Sequence, residues 1–252
     1  MPTDGTPVNP RSAFAPLRNI ALMEQLILSL QQRSPHLPGM GCFHGPSGFG
    51  KTFAASWAAA NLRACYVEAG NNWSPKSMMT AILKELGLPV RKSASVDEMK
   101  AEAAEELEKS RRPLLIDEAD RLVERRLVEQ ARELHDNSGT PVVLIGEEGL
   151  PHKLKPLERV HNRMLKWQPL EPCDLDDARQ LARLYCQRIE IDDDLLALLV
   201  ARVHGSTRRI AVNIERFAEF GHGEGLKRVT CADWGDREIY TGAPPAVRRF
   251  VA

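Results

Sequence analysis

The chain has 252 residues, with 34 lysines and arginines balanced by 34 aspartates and glutamates, and 43% hydrophobic residues. A chain of that length buries roughly 70–75% of its unfolded surface, enough for one sizeable core and a small appendage. Ordinary apolar content with zero net charge argues against disorder, the 6% aromatic share against a nucleic-acid reader built on stacked aromatics, and the zero net charge against one built on bulk positive charge.

Residues 1–16 contain Pro2, Pro7, Pro10 and Pro16 and read as a flexible arm. An amphipathic stretch follows from Leu17 to Arg33 and stops at Ser34-Pro35. Short apolar runs then predict strands at 40–44, 64–68, 113–117, 141–145 and 164–168, with helices near 51–62, 74–86, 95–110 and 121–136 between them. Ser74-Pro75 and the Ser95…Glu98 spacing are helix-start signals. Strands alternating with helices predict an α/β domain with a parallel sheet covered on both faces, over residues 17–170. Residues 171–252 read as a helical domain with a C-terminal tail and no convincing strand. No run reaches the roughly 18–20 apolar residues of a membrane span, and the amino terminus lacks the apolar core of a signal peptide. Cys42, Cys65, Cys173, Cys186 and Cys231 have no metal-type spacing and read as reduced thiols, so a soluble cytoplasmic protein without a membrane partner is expected.

The strongest chemical signal is Gly45-Pro46-Ser47-Gly48-Phe49-Gly50-Lys51-Thr52, a complete GxxxxGK[ST] set between a predicted strand and a predicted helix. Glycines let backbone N–H groups turn around phosphate oxygens, and the helix amino terminus adds positive potential there. Lys51 is expected to reach the β- and γ-phosphates of ATP, and the Thr52 hydroxyl to ligate Mg²⁺. Further on, Leu114-Leu115-Ile116-Asp117-Glu118 delivers two carboxylates at the end of a buried strand. Asp117 is expected to hold Mg²⁺ through water and Glu118 to polarise the attacking water, which predicts hydrolysis rather than binding alone. The string Asp117-Glu118-Ala119-Asp120 matches the DEAD-box label, but the chain is too short for the two core domains such helicases need.

Glu147, after the strand ending Leu144-Ile145-Gly146, stands where a polar side chain would touch the γ-phosphate or the lytic water. Arg159 and Arg163 precede the last strand, where an arginine donated to a neighbouring subunit would neutralise transition-state charge. Arg208, with Arg209 as the alternative, opens a helix in the second domain and is expected to report nucleotide state.

Taken together, these elements resemble the AAA+ ATPase family over roughly residues 17–220. The resemblance implies a P-loop NTPase fold with a small helical lid, ATP and Mg²⁺ as cofactors, and homo-oligomeric rings or filaments with ATP between subunits. It also implies Arg163, or Arg159, as arginine finger, Arg208 as sensor 2 and Glu147 at the sensor 1 position. The segments Asp117–Leu122, Leu134–Gly146 and Met78–Gly87 are similar to the transposition ATPases of the Mu B, TniB and TnsC group. That likeness implies nonspecific binding of double-stranded DNA, recruitment of a DDE transposase, and a bacterial or phage-infected cell. The alternative is an ExeA-type ATPase that remodels a protein assembly without DNA; a small-molecule P-loop kinase is disfavoured by Asp117-Glu118 and the helical lid. Two departures from the Mu B pattern stand out: about 16 residues precede the core in this sequence where Mu B carries a helix-turn-helix domain, and the residue at 147 is acidic.

For DNA contact the sequence offers modest material. On one continuous helix after Asp120, Arg121, Arg125 and Arg132 would fall within about 40° of one another at 100° per residue, forming a basic stripe. Lys76, beside Trp73, and the pair Arg91-Lys92 are further candidates. A monomer with so few cationic contacts would hold DNA poorly, whereas an assembly aligning them would bind in a salt-sensitive way.

Overall fold

Five short strands carry the apolar runs read from the sequence. In the computed structural model, which describes residues 17–243, they lie in one parallel sheet. The arm at 1–16 and the last nine residues of the tail, 244–252, lie outside the described residues. The chain divides into two units, whose main segments are Arg18–Glu171 and the part from Pro172 onward.

In the first unit, α1 (Arg18–Gln31) precedes β1 (Met40–His44), α2 (Lys51–Asn61), β2 (Cys65–Glu68), α3 (Pro75–Glu85), α4 (Val96–Ser110) and β3 (Leu114–Asp117). Then come α5 (Asp120–Glu124), α6 (Val128–Ser138), β4 (Val142–Gly146), α7 (Leu150–Leu154), α8 (Glu158–His161) and β5 (Met164–Pro169). The strand order is β2-β3-β4-β1-β5, all pairs parallel. Every residue of β3 and β4 is buried, because helices cover both faces; these are the two runs that read as continuously apolar rather than alternating. On β1, a Cβ at Gly41 would stand 3.0 Å from both Leu26 and Leu30, so glycine there lets α1 lie against the sheet. Ser74 and Ser95 cap α3 and α4 through reciprocal boxes with Ser77 and Glu98.

One predicted element is corrected. The helix expected over 121–136 is two helices, α5 and α6, because the chain reverses at Arg126 with φ 56°. The Leu127 N–H donates to Leu122 O at 2.7 Å and the Arg126 N–H to Val123 O at 3.1 Å, the paired bonds of a Schellman ending. Leu122 and Leu127 are both buried, and that apolar anchoring holds an arginine in a conformation usually left to glycine.

The second unit contains α9 (Leu175–Tyr185), α10 (Asp193–Arg202), α11 (Thr207–Gly223) and α12 (Cys231–Trp234). The expectation of no strand fails here: β6 (Glu190–Ile191) and β7 (Arg228–Val229) form a short parallel pair, too brief to leave a periodic signal. Trp234 meets Phe217 and Phe220 edge-on at 4.6 and 5.4 Å between ring centres. The buried Asn213 exchanges hydrogen bonds with the backbone of Tyr240, 2.8 Å each way.

Near the start of β4, buried His135 bonds through Nδ1 to Thr140 O at 2.8 Å, so the neutral ring carries its proton on Nδ1. Burial lowers its pKa, and Arg33 and Arg163 push the same way against Asp136 and the Thr140 carbonyl. A histidine depressed in the folded state contributes stability that is fully present above its unfolded pKa of about 6.5 and is lost as pH falls through the folded value. Wild-type stability should therefore decline below pH 6.5 more steeply than that of His135→Gln, by up to about 1.4 kcal/mol per pH unit, in urea titrations at pH 7.5 and 5.5.

Candidate functional site

The chain leaves β1 at His44 and turns through Gly45, Pro46, Ser47, Gly48, Phe49 and Gly50 into α2. Gly48 and Gly50 have φ of 82° and 89°, a left-handed backbone that side-chain-bearing residues adopt only under strain. A Cβ at Gly45 would lie 2.9 Å from Leu170 Cβ, so that position needs glycine for close approach instead. The loop is held from outside by Asn19, a residue the sequence reading missed. Its Nδ2 donates to Phe49 O at 3.0 Å and to Glu171 O at 2.8 Å, while its Oδ1 accepts the Glu171 N–H at 2.9 Å. Nothing in its spacing marks it, because the partners are backbone groups distant in sequence.

Lys51, the first residue of α2, donates from Nζ to Gly45 O at 2.7 Å and Pro46 O at 3.0 Å. Burial lowers its pKa, opposed by Asp117, Glu147, Glu118 and Asp120, all close enough to act on it. Thr52, one residue on, donates from Oγ1 to Asp117 Oδ2 at 2.8 Å and so joins the loop to the end of β3. Asp117 is 1% exposed, and its other oxygen, Oδ1, accepts the Glu118 N–H at 2.8 Å. The Tyr66 hydroxyl, from β2, also donates to Oδ2, at 3.1 Å.

Glu118 has φ 54°, a left-handed backbone costing a non-glycine residue roughly 1–2 kcal/mol. The turn is held by Ala119 N–H donating to Ile145 O at 2.8 Å and Arg121 N–H to Glu118 O at 3.0 Å. The Glu118 carboxylate is 3.5 Å from Arg121, whose Nη1 donates to Ala69 O at 2.5 Å and lies 3.6 Å from Glu68. Glu147 is exposed after β4, and its N–H donates to Asp120 Oδ2 at 2.7 Å. Asp120, buried, also pairs with Lys153 at 2.9 Å and sits so close to Gly146 that a Cβ there would meet Oδ2 at 2.3 Å. Asp120 thus braces the exits of β3 and β4 against each other.

These residues fit a polyphosphate and a hard divalent cation. A glycine turn, a helix amino terminus and a lysine converge on one end of the sheet, as phosphate binding requires. Thr52 and Asp117 present adjoining oxygens suited to Mg²⁺. Among the described residues no group of three or more His, Cys, Asp or Glu is arranged to hold a metal. A cation beside Thr52 and Asp117 would take its remaining ligands from phosphate and water, as Mg²⁺ does.

Of the other expected residues, Arg159 and Arg163 belong to the first unit and Arg208 to the second. Arg163 is tied to Asp136 within its own unit, Nε to Oδ1 at 2.7 Å and Nη2 to Oδ2 at 3.4 Å. Arg159, on α8, is exposed and makes no side-chain hydrogen bond or ion pair among the described residues. Arg208 is exposed in the first turn of α11, in the second unit. Lys76 donates to Lys92 O at 3.0 Å and Arg91 pairs with Glu102, while Lys92 is exposed.

The basic stripe is overturned by the break at Arg126, which puts Arg121 and Arg132 on different helices. Arg121 is committed to Ala69 and Glu118, Arg125 donates to Asn72 Oδ1 at 3.1 Å, and Arg132 pairs with Glu129, Glu133 and Asp136. No helix among the described residues is long and apolar enough to cross a membrane.

Residues 33–154 match the family of AAA domains, a stretch that includes Lys51, Asp117, Glu118 and Glu147 but not Arg159, Arg163 or Arg208. The fold is an AAA+ P-loop fold. Solved structures agree. Cdc6p from Pyrobaculum aerophilum is 16% identical with a TM-score of 0.60, the match covering 90% of this chain and 69% of that one. The Aeropyrum pernix ORC1 protein, solved in complex with DNA, is 22% identical with a TM-score of 0.59, covering 87% of this chain and 64% of its own. At these identities the likeness is one of fold, and the chain spans about two thirds of each protein's length. No curated protein matches the chain by sequence.

Proposed function

We propose that this chain is a Mg²⁺-dependent ATPase that assembles on duplex DNA and serves in transposition target selection. The observation that supports hydrolysis most directly is the 2.8 Å contact joining Thr52 to Asp117, the residues that adjoin Lys51 and Glu118 in the sequence. On this reading Lys51 leaves the carbonyls of Gly45 and Pro46 to hold phosphate oxygens. Thr52 and Asp117 hold magnesium, which when bound neutralises charge on the phosphates. Glu118 takes the proton of the attacking water, Glu147 stands beside the same phosphate end, and Arg208 reports nucleotide state. Support for the transposition role, and for a DDE transposase as partner, is the likeness of Asp117–Leu122 and Leu134–Gly146 to the Mu B, TniB and TnsC group. The DNA-bound ORC1 relative in fold makes a duplex partner reasonable.

A second reading, a DNA-independent ATPase of the ExeA type, is favoured by one specific observation. Arg91, Arg121, Arg125 and Lys76, four of the five residues proposed to meet phosphates, are engaged by groups of this same chain. Duplex binding separates the two. The first reading requires ATP-dependent retardation of a duplex at low salt that weakens steeply as salt is raised. Micromolar protein that leaves duplex unbound with ATP and Mg²⁺ returns the chain to the second.

Lys51→Ala should lose ATP binding or turnover. Glu118→Gln should bind ATP yet hydrolyse it about a hundredfold more slowly, as removal of a general base does; normal phosphate release by that variant removes Glu118 from the mechanism. For the finger, Arg159 is the unengaged arginine, while Arg163 would first have to leave Asp136. Arg163→Ala is expected to slow hydrolysis in the assembled state with nucleotide affinity kept. If only Arg159→Ala does so, the role passes to Arg159.

A further inference from the structure

We propose that Tyr66 is a positioning residue for the divalent cation of this site. Its hydroxyl holds the Asp117 carboxylate in the orientation that presents Oδ2 beside Thr52. The proposal rests on the magnesium–nucleotide reading above and adds to it a residue outside the phosphate loop and the acidic pair.

Tyr66 lies on β2, the edge strand beside β3, in register with Leu115, two residues before the pairing of Glu68 with Asp117. Its hydroxyl is 3.1 Å from Asp117 Oδ2, the oxygen that also accepts the Thr52 hydroxyl at 2.8 Å. Oδ1 is taken by the Glu118 N–H. The carboxylate is therefore gripped at both oxygens, by a backbone amide at one and two hydroxyls at the other. Rotation about its terminal torsion is otherwise soft, since sp³–sp² torsions have broad wells. A carboxylate can only accept, and an ordinary phenol keeps its proton at neutral pH, so the Tyr66 hydroxyl is the donor in this pair.

Two kinds of role are separable. A half-buried tyrosine needs a partner for its hydroxyl, and Asp117 would satisfy it even if Tyr66 only packed. Phenylalanine keeps the ring and removes the donor alone. If Tyr66 only packs, metal dependence does not move with that change. If it positions Asp117, the change acts on the cation, because outer partners of metal-binding carboxylates hold their ligands in place.

The test compares the full chain with Tyr66→Phe, following affinity for a fluorescent ATP analogue as Mg²⁺ is raised from zero. Unfolding midpoints in EDTA are taken on both proteins. The Mg²⁺ concentration giving half of the metal-dependent gain should rise about tenfold in the variant. That shift should exceed any change in the metal-free affinity. An equal or lower half-saturation, with the wild-type gain intact, overturns the role of Tyr66 and leaves the nucleotide reading standing. A wild-type protein whose nucleotide affinity does not respond to Mg²⁺ overturns both.

Discussion

The hydrogen bond from Thr52 Oγ1 to Asp117 Oδ2 ties the helix that follows the phosphate loop to the end of a central buried strand. Asp117 is almost wholly removed from water, and a carboxylate in that position is tolerated only if its oxygens are satisfied. Thr52, Tyr66 and the Glu118 amide supply that satisfaction from three different elements. Placing β3 one strand away from β1, with β4 between them, brings those donors to one point. Binding chemistry then gathers outside the carboxyl ends of the strands, where open parallel sheets present ligands.

Backbone strain follows from the same requirement. The chain must turn sharply after Asp117, and Glu118 takes a left-handed conformation to do so, held by bonds to the ends of β4 and α5. Asp120 fills the space left by the missing side chain of Gly146 and receives the amide of Glu147. The acidic segment thus does two jobs with nearby residues: Asp117 ties β3 to α2, while Asp120 is a strut between strands. The arginine that pairs with Glu118 also grips the carbonyl of Ala69, so the loop after β2 and the Glu118 carboxylate share one side chain.

Net neutrality acquires a spatial meaning in this structure. Arginines that looked available as a stripe are engaged instead, Arg121 and Arg125 by groups of the loop after β2 and Arg132 by carboxylates of its own helix. Among the described residues, the named candidates left exposed without a side-chain hydrogen bond or ion pair are Lys92, Arg159 and Arg208. A DNA-binding role for such a surface depends on repetition along a polymer rather than on the strength of one subunit.

Much of the architecture was legible in the residue pattern. The five strands, the alternation with helices and the GxxxxGK[ST] loop rest on local rules: apolar runs, capping residues, and glycines where the backbone must be left-handed. Local rules also place Asp117 and Glu118 at a strand end. They could not reveal the break at Arg126, because the left-handed residue there is an arginine held by the burial of Leu122 and Leu127 rather than a glycine. Nor could they find Asn19, Tyr66 or Asp120 as parts of the site, since each acts on partners brought near only by sheet order or by packing against the loop. The sequence by itself determined which groups are proposed to meet phosphate and a cation, because they are concentrated in two short contiguous motifs. Tertiary structure alone decided which side chains hold those motifs in place and which arginines stay free, because both depend on contacts between residues far apart in the chain.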